Sequence, residues 1–256
     1  MLPNPKLLFT FMLISLTIPE AYAAQCNAAS GKTVVPLLEL YTSEGCSSCP
    51  PAEQWLSSLD LGASKLTPLA FHVDYWDYIG WKDRFARTAY SERQRKLAAL
   101  GGARFVYTPQ FTFNGRDFRS WNDARLKLGI ENSNNQIAHA SLALNLSNEG
   151  KGEILLKTSA HSNYPDDARQ ADIFIAIYEN KLTSQVNTGE NSGHELQHDY
   201  VVREFLGPYQ FDRNNAFAKT ITLKPEWKGR NAGAAMFVQS RFTGSVLQSL
   251  KLPLCL

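Results

Sequence analysis

Cys46-Ser47-Ser48-Cys49 sets two thiols three positions apart in a 256-residue chain that carries four cysteines. Thiols at this spacing close into a disulfide and reopen without moving the surrounding fold. The first can attack a partner's disulfide and the second can resolve the mixed intermediate. A second chemistry-bearing stretch runs from Asp74 to Asp83, with Trp76, Asp77, Tyr78 and Trp81 between. Asp74, Trp76, Asp77 and Trp81 are expected to line a groove, an aspartate passing a proton to or from Cys49. The plainer alternative is that the aromatic residues pack a long loop whose acids bond to backbone. A third stretch, His194-Glu195-Leu196-Gln197-His198, spells HExxH. Zinc proteases need that motif on a helix, with both histidines on one face. Residues 187–193 are rich in glycine and asparagine, and Tyr200-Val201-Val202 favours strand, so the match reads as accidental. Cysteine thiolates with a nearby histidine can hold a soft ion such as Cu(I). Nothing beyond the cysteine pair selects one, so neither metal site nor cofactor is assigned.

The elements that must position these groups are legible in part. Val34 to Tyr41 is an apolar run expected as a buried strand, Thr42 to Gly45 a turn, and Pro50 to about Asp60 a helix with proline in its first turn. Leu66 to Asp74 is the second strand, expected parallel to the first, so that the loop after it emerges on the cysteine side. A helix N-terminus next to Cys46 would stabilise a thiolate. Glu44 opposes this, because a nearby carboxylate raises a thiol pKa. Pro50 opposes it too, since it moves the regular helix a turn beyond Cys46. The pair therefore reads as redox-active or as a structural staple. His72, between Phe71 and Val73, reads as a satisfied, half-buried histidine.

Beyond the second strand the pattern gives a helix over 83–100, ended by Gly101-Gly102. A hairpin turning at Asn114-Gly115 follows, then a helix from Trp121-Asn122-Asp123 to near Gly129. Residues 131–136 form a polar break. After it come alternating runs near 139–147, 153–159, 171–178, 197–205, 218–224, 234–241 and 245–252, the signature of short antiparallel strands. The expected architecture is an α/β thioredoxin-like domain over 33–130, followed by an all-β sandwich-like domain over 137–256.

Lys6, the apolar run Leu7 to Ile18 and Ala21-Tyr22-Ala23 read as an export signal over residues 1–23, too short to span a bilayer. The protein is expected to be exported, periplasmic or secreted, with no membrane span. Export puts four cysteines where disulfides persist. Cys46 and Cys49 pair naturally, which leaves Cys26 and Cys255 for a bridge between the ends of the mature chain or as two free thiols. A net charge of +2 and the lack of a Lys/Arg run give no reason to expect nucleic acid.

Three further segments carry a resemblance. Glu39 to Ala52, Ala70 to Asp83 and Tyr107-Thr108-Pro109-Gln110, with Gly189-Glu190-Asn191 and Val201-Val202-Arg203 later in the chain, resemble a secreted bacterial thioredoxin-like family known mainly as a domain of unknown function. The resemblance implies export and fold. In thioredoxin-like proteins a cis proline at the position of Pro109 faces the CxxC and offers its neighbour's backbone to an incoming chain. Thr108 and Pro109 are therefore expected as a substrate-docking edge. The expected function is thiol–disulfide oxidoreductase, with Cys46 as nucleophile, Cys49 as resolving thiol, and protein thiols or disulfides as partners. The alternatives are an envelope or secreted binding module stapled by the same disulfide, and a Cu(I) carrier. The sequence names no specific partner, redox direction or oligomeric state.

Overall fold

Leu37–Thr42 (β2) and Thr67–His72 (β3) are six-residue runs in which every side chain is buried, as expected of strands covered on both faces. They pair in parallel, Leu37 opposite Thr67 and Thr42 opposite His72. A computed structural model describes them within residues 25–59, 61–119, 121, 124–212 and 214–255. The expected export signal over 1–23 and residues Asn122 and Asp123 lie outside the described residues.

Between β2 and β3 lies helix α1, Pro50–Ser57, with proline at its first two positions. A 3₁₀ turn, Asp77–Ile79, and helix α2, Thr88–Leu100, follow β3. The hairpin β4, Gln110–Phe113, and β5, Arg116–Asp117, turns through Asn114 and Gly115, both at positive φ. A Cβ on Gly115 would lie 1.9 Å from the Gly244 carbonyl oxygen, so this turn is closed to any larger residue. Helix α3 runs from Arg125 to Asn134. It passes through the expected stop at Gly129, which is interior to the helix because the Phe113 ring packs against it, 3.2 Å from where a Cβ would stand.

The remaining elements are β-rich. Strand β1 is Gln25–Ala29; β6 Ser141–Gly150 and β7 Glu153–His161 precede the short α4, Pro165–Arg169. Then come β8 Ala171–Glu179, β9 Leu182–Gln185, β10 Glu195–His198, β11 Val201–Gln210, β12 Asn214–Thr222, β13 Ala232–Ser240 and β14 Val246–Pro253.

The expected α/β thioredoxin-like domain followed by a sandwich is corrected by this architecture. Strand accounts for 43% of the chain and helix for 19%, in several sheets. One eight-stranded sheet, in the order β14-β13-β8-β11-β3-β2-β4-β5, draws on both halves of the sequence. The seam is the parallel pairing of β11 with β3, Val201 opposite Ala70. Element order alone could not reveal this, because the edge that β11 covers is offered 131 positions earlier in the chain. A second sheet, β1-β6-β7-β12, lies over the far half of the first. Leu142, Leu144 and Ile154 on one layer share a core with Ile173, Ile175 and Met236 on the other. β9 and β10 form a separate two-stranded hairpin that touches α1.

Cys26 and Cys255 are joined, Cα to Cα 5.8 Å, across 229 residues. Among the described residues no helix is long and apolar enough to cross a membrane.

Candidate functional site

Cys46 and Cys49 form a disulfide at the end of the turn that leaves β2, Cα to Cα 5.4 Å. The Cys49 N–H donates to the Cys46 carbonyl at 3.1 Å, and Ala52 and Glu53 N–H groups donate to the Cys49 carbonyl. The regular helix thus starts at Pro50, a turn beyond Cys46, although Cys49 just before the proline already has right-handed helical backbone angles, φ −79° and ψ −37°. Ser47 and Ser48 are exposed, whereas Cys46 is 1% and Cys49 0% exposed.

Two loops bond to or pack on the turn that carries this disulfide, and a third segment is joined to it through Trp76. Gly45 lets the Trp76 side chain approach, since a Cβ there would stand 3.3 Å from Trp76 Cβ and from Ile79 Cδ1. Trp76 Nε1 donates to Thr108 Oγ1 at 2.7 Å, which ties the cysteine turn to the Thr108-Pro109 segment. The Thr108–Pro109 peptide bond is cis. From the other side, Asn191 Nδ2 donates to the Glu44 carbonyl at 2.8 Å and the Cys46 carbonyl at 3.1 Å. Glu190 Oε2 accepts from the Ser47 N–H at 3.1 Å. Beside Pro109 opens a hollow of about 310 Å³ lined by Phe105, Tyr107, Phe111, Phe118, Arg119 and Trp121.

The acids of the 74–83 loop take separate paths. The Asp74 carboxylate accepts from Thr88 and Ser91 of α2, each at 2.5 Å. Partial burial would raise its pKa, but those hydroxyls outweigh it and hold it below the usual carboxylate range. Asp77 accepts from the Asp83 N–H at 3.2 Å, and desolvation pushes its pKa up. Tyr78 is exposed and stacks beside Trp76.

Behind the cysteine turn lies a buried cluster that sequence spacing did not reveal: Glu44, Glu53, His72, Asp83 and His198. Its members come from five separate stretches. Glu44 Oε2 accepts from Trp81 Nε1 at 2.6 Å, while its Oε1 lies 3.4 Å from His198 Nε2. Glu53 accepts from Thr42 Oγ1 at 2.5 Å and is bonded through its other oxygen to His198 Nδ1. His72 Nδ1 meets Asp83 Oδ2 at 2.6 Å. Asp83 also accepts from the Glu44 and Phe85 N–H groups at 2.9 and 2.8 Å. Burial alone would depress the His198 pKa. The Glu53 and Glu44 carboxylates more than reverse that, pushing it up to about 10. Burial works against ionisation of Glu53 and Asp83, yet facing imidazoles and hydrogen bonds hold both low.

His72 is therefore fully buried, bonded through one ring nitrogen only, its Nε2 lacking a hydrogen-bond partner. The HExxH stretch is a turn and a strand. His194 is exposed and His198, on β10, buried. The protease geometry is absent, but dismissing the motif also hid the role of His198 in this cluster. The one available signal was His72 itself, a histidine inside an otherwise apolar strand.

The sequence profile of the family described as a protein of unknown function, DUF1223, matches residues 37–239, and the chain belongs to that family. The cysteine turn and the segments bonded to it or packed on it fall inside the match. No curated protein matches the chain significantly. A crystal structure of an Agrobacterium tumefaciens protein, determined by structural genomics, is similar at 23% identity and a TM-score of 0.61. That likeness covers 87% of this chain and 96% of the other. HBP35 of Porphyromonas gingivalis is similar at 14% identity and a TM-score of 0.63, over 88% of this chain and 76% of that one. At these identities the likeness concerns the fold alone.

Proposed function

We propose that the Cys46–Cys49 pair carries out thiol–disulfide exchange with an exported protein partner. The carrying observation is convergence on the cysteine turn: Trp76, bonded to Thr108, packs at Gly45, and Asn191 and Glu190 bond to the backbone of residues 44–47. In the reductive direction the Cys46 thiolate attacks a partner disulfide. One partner sulfur leaves as thiolate and takes a proton, and a Cys46–partner disulfide forms. The Cys49 thiolate then attacks Cys46 Sγ, forming the Cys46–Cys49 bond and releasing the second partner sulfur as a thiolate, which is protonated. Two electrons pass to the partner; the oxidative direction is the reverse. The aromatic hollow beside Pro109 supplies apolar surface for the partner chain.

Burial of Cys46 sets a condition on this reading: the Glu190 and Asn191 contacts must open before a partner sulfur can approach in line. The same burial favours a second reading, in which the disulfide staples the turn of a binding or assembly module. Cys49→Ala separates the two. Exchange predicts that Cys46 of this variant accumulates a mixed disulfide with proteins of the exported compartment, recovered under non-reducing conditions and abolished by Cys46→Ala. A Cys49→Ala protein that stays monomeric and fully alkylatable would favour the staple.

A further inference from the structure

We propose that Glu53, His72 and His198, with Glu44 beside them, form a buried site for a single divalent first-row transition-metal ion such as Zn²⁺. Each of the first three offers a ligand-type atom, and those atoms lie within 4.8 Å of one another. The distances exceed those of a closed coordination sphere, so binding draws the side chains inward around the ion.

The buried polar atoms carry the inference. His72 Nε2 is buried without a hydrogen-bond partner, while His198 Nε2 and Glu44 Oε1, also buried, face each other at 3.4 Å as an ion pair without hydrogen-bond geometry. Leaving His72 Nε2 dry carries the desolvation cost of an unsatisfied buried polar atom, which a bound cation removes. Each imidazole also has its other nitrogen held by a carboxylate, His72 Nδ1 by Asp83 and His198 Nδ1 by Glu53. A metal-binding histidine is usually oriented in this way, one nitrogen on a carboxylate and the other on the ion. His198 has this choice at both nitrogens, since Glu44 faces Nε2 and Glu53 faces Nδ1. The two rings lie T-shaped with centroids 5.2 Å apart, close enough to share one ion.

Donor chemistry selects the ion. Imidazole and carboxylate suit zinc and its first-row neighbours, whereas Cu(I) prefers thiolate. The site is thus separate from any ion the cysteines could take, and it does not depend on the exchange reaction.

The test uses the mature protein with both disulfides intact, stripped with a chelator and titrated with Zn²⁺ by calorimetry and with Co²⁺ by visible absorption. The expected result is one ion per chain and Co²⁺ d–d bands without a thiolate charge-transfer band. Cys46→Ser/Cys49→Ser should leave uptake unchanged, and His72→Gln or His198→Gln should weaken it at least tenfold. Because either histidine variant could fail to fold, imidazole NMR of the unsubstituted protein gives a second reading. Of five histidines, His72 and His198 should respond to Zn²⁺, while His139, His161 and His194 stay unchanged. No stoichiometric uptake, a thiolate charge-transfer band, or a response confined to the other histidines would overturn the proposal.

Discussion

Asn191 donates from one side-chain amide to two carbonyls, those of Glu44 and Cys46, and Glu190 accepts from the Ser47 N–H on the same turn. Removing that amide leaves two buried carbonyls with one partner fewer, a loss on the order of 1.4 kcal/mol. Asn191→Ala should therefore raise the alkylation rate of Cys46 in the reduced protein about tenfold, measured by pulsed thiol labelling. An unchanged rate would mean that this loop does not control access. At this scale the Cys46–Cys49 pairing was legible from its spacing, whereas Thr108-Pro109 was singled out only by its place in the motif order and by the family resemblance. The buried Glu44–Glu53–His72–Asp83–His198 cluster was not. Its members lie on separate stretches, and only tertiary packing joins them. Glu44, expected to bear on the thiol, spends its two carboxylate oxygens on Trp81 and His198. Asp74, expected in a proton path, is instead bonded to α2.

The strands of the second half follow alternating apolar runs, and most were legible to within a few residues. Their partners were not, since pairing of β11 with the β3 edge depends on neither strand's own pattern. β14 illustrates what that assembly buries. Lys251 on this strand is 9% exposed, with Nζ 5.3 Å from the Tyr200 ring centre. Desolvation lowers its pKa to about 8 from 10.5. The cation is then costly to bury while both folded and unfolded states are charged, below pH 8. That cost fades as pH rises through 8 to 10.5. Stability should accordingly climb across that window by up to about 3 kcal/mol. Lys251→Met should be the more stable protein at pH 7 and should lose this rise in urea unfolding at pH 7, 8, 9 and 10. Equal slopes for the two proteins would contradict the assignment.

The whole molecule is closed by Cys26–Cys255, which ties β1 to the segment after β14 across 229 residues. In the chain-entropy treatment a loop of that size contributes on the order of 5 kcal/mol. Cys26→Ser/Cys255→Ser should lose several kcal/mol in denaturant unfolding while leaving exchange at Cys46–Cys49 intact, because one bridge joins β1 to the segment after β14 and the other lies within the turn between β2 and α1. Loss of exchange in a folded variant would argue against that separation. The most direct test of the central claim is the equilibrium of Cys46–Cys49 with a graded glutathione series, read by thiol labelling and mass spectrometry of the protein. Thiol–disulfide exchange predicts a potential between about −120 and −270 mV. A value below about −300 mV would place the pair with structural disulfides and contradict the proposed function.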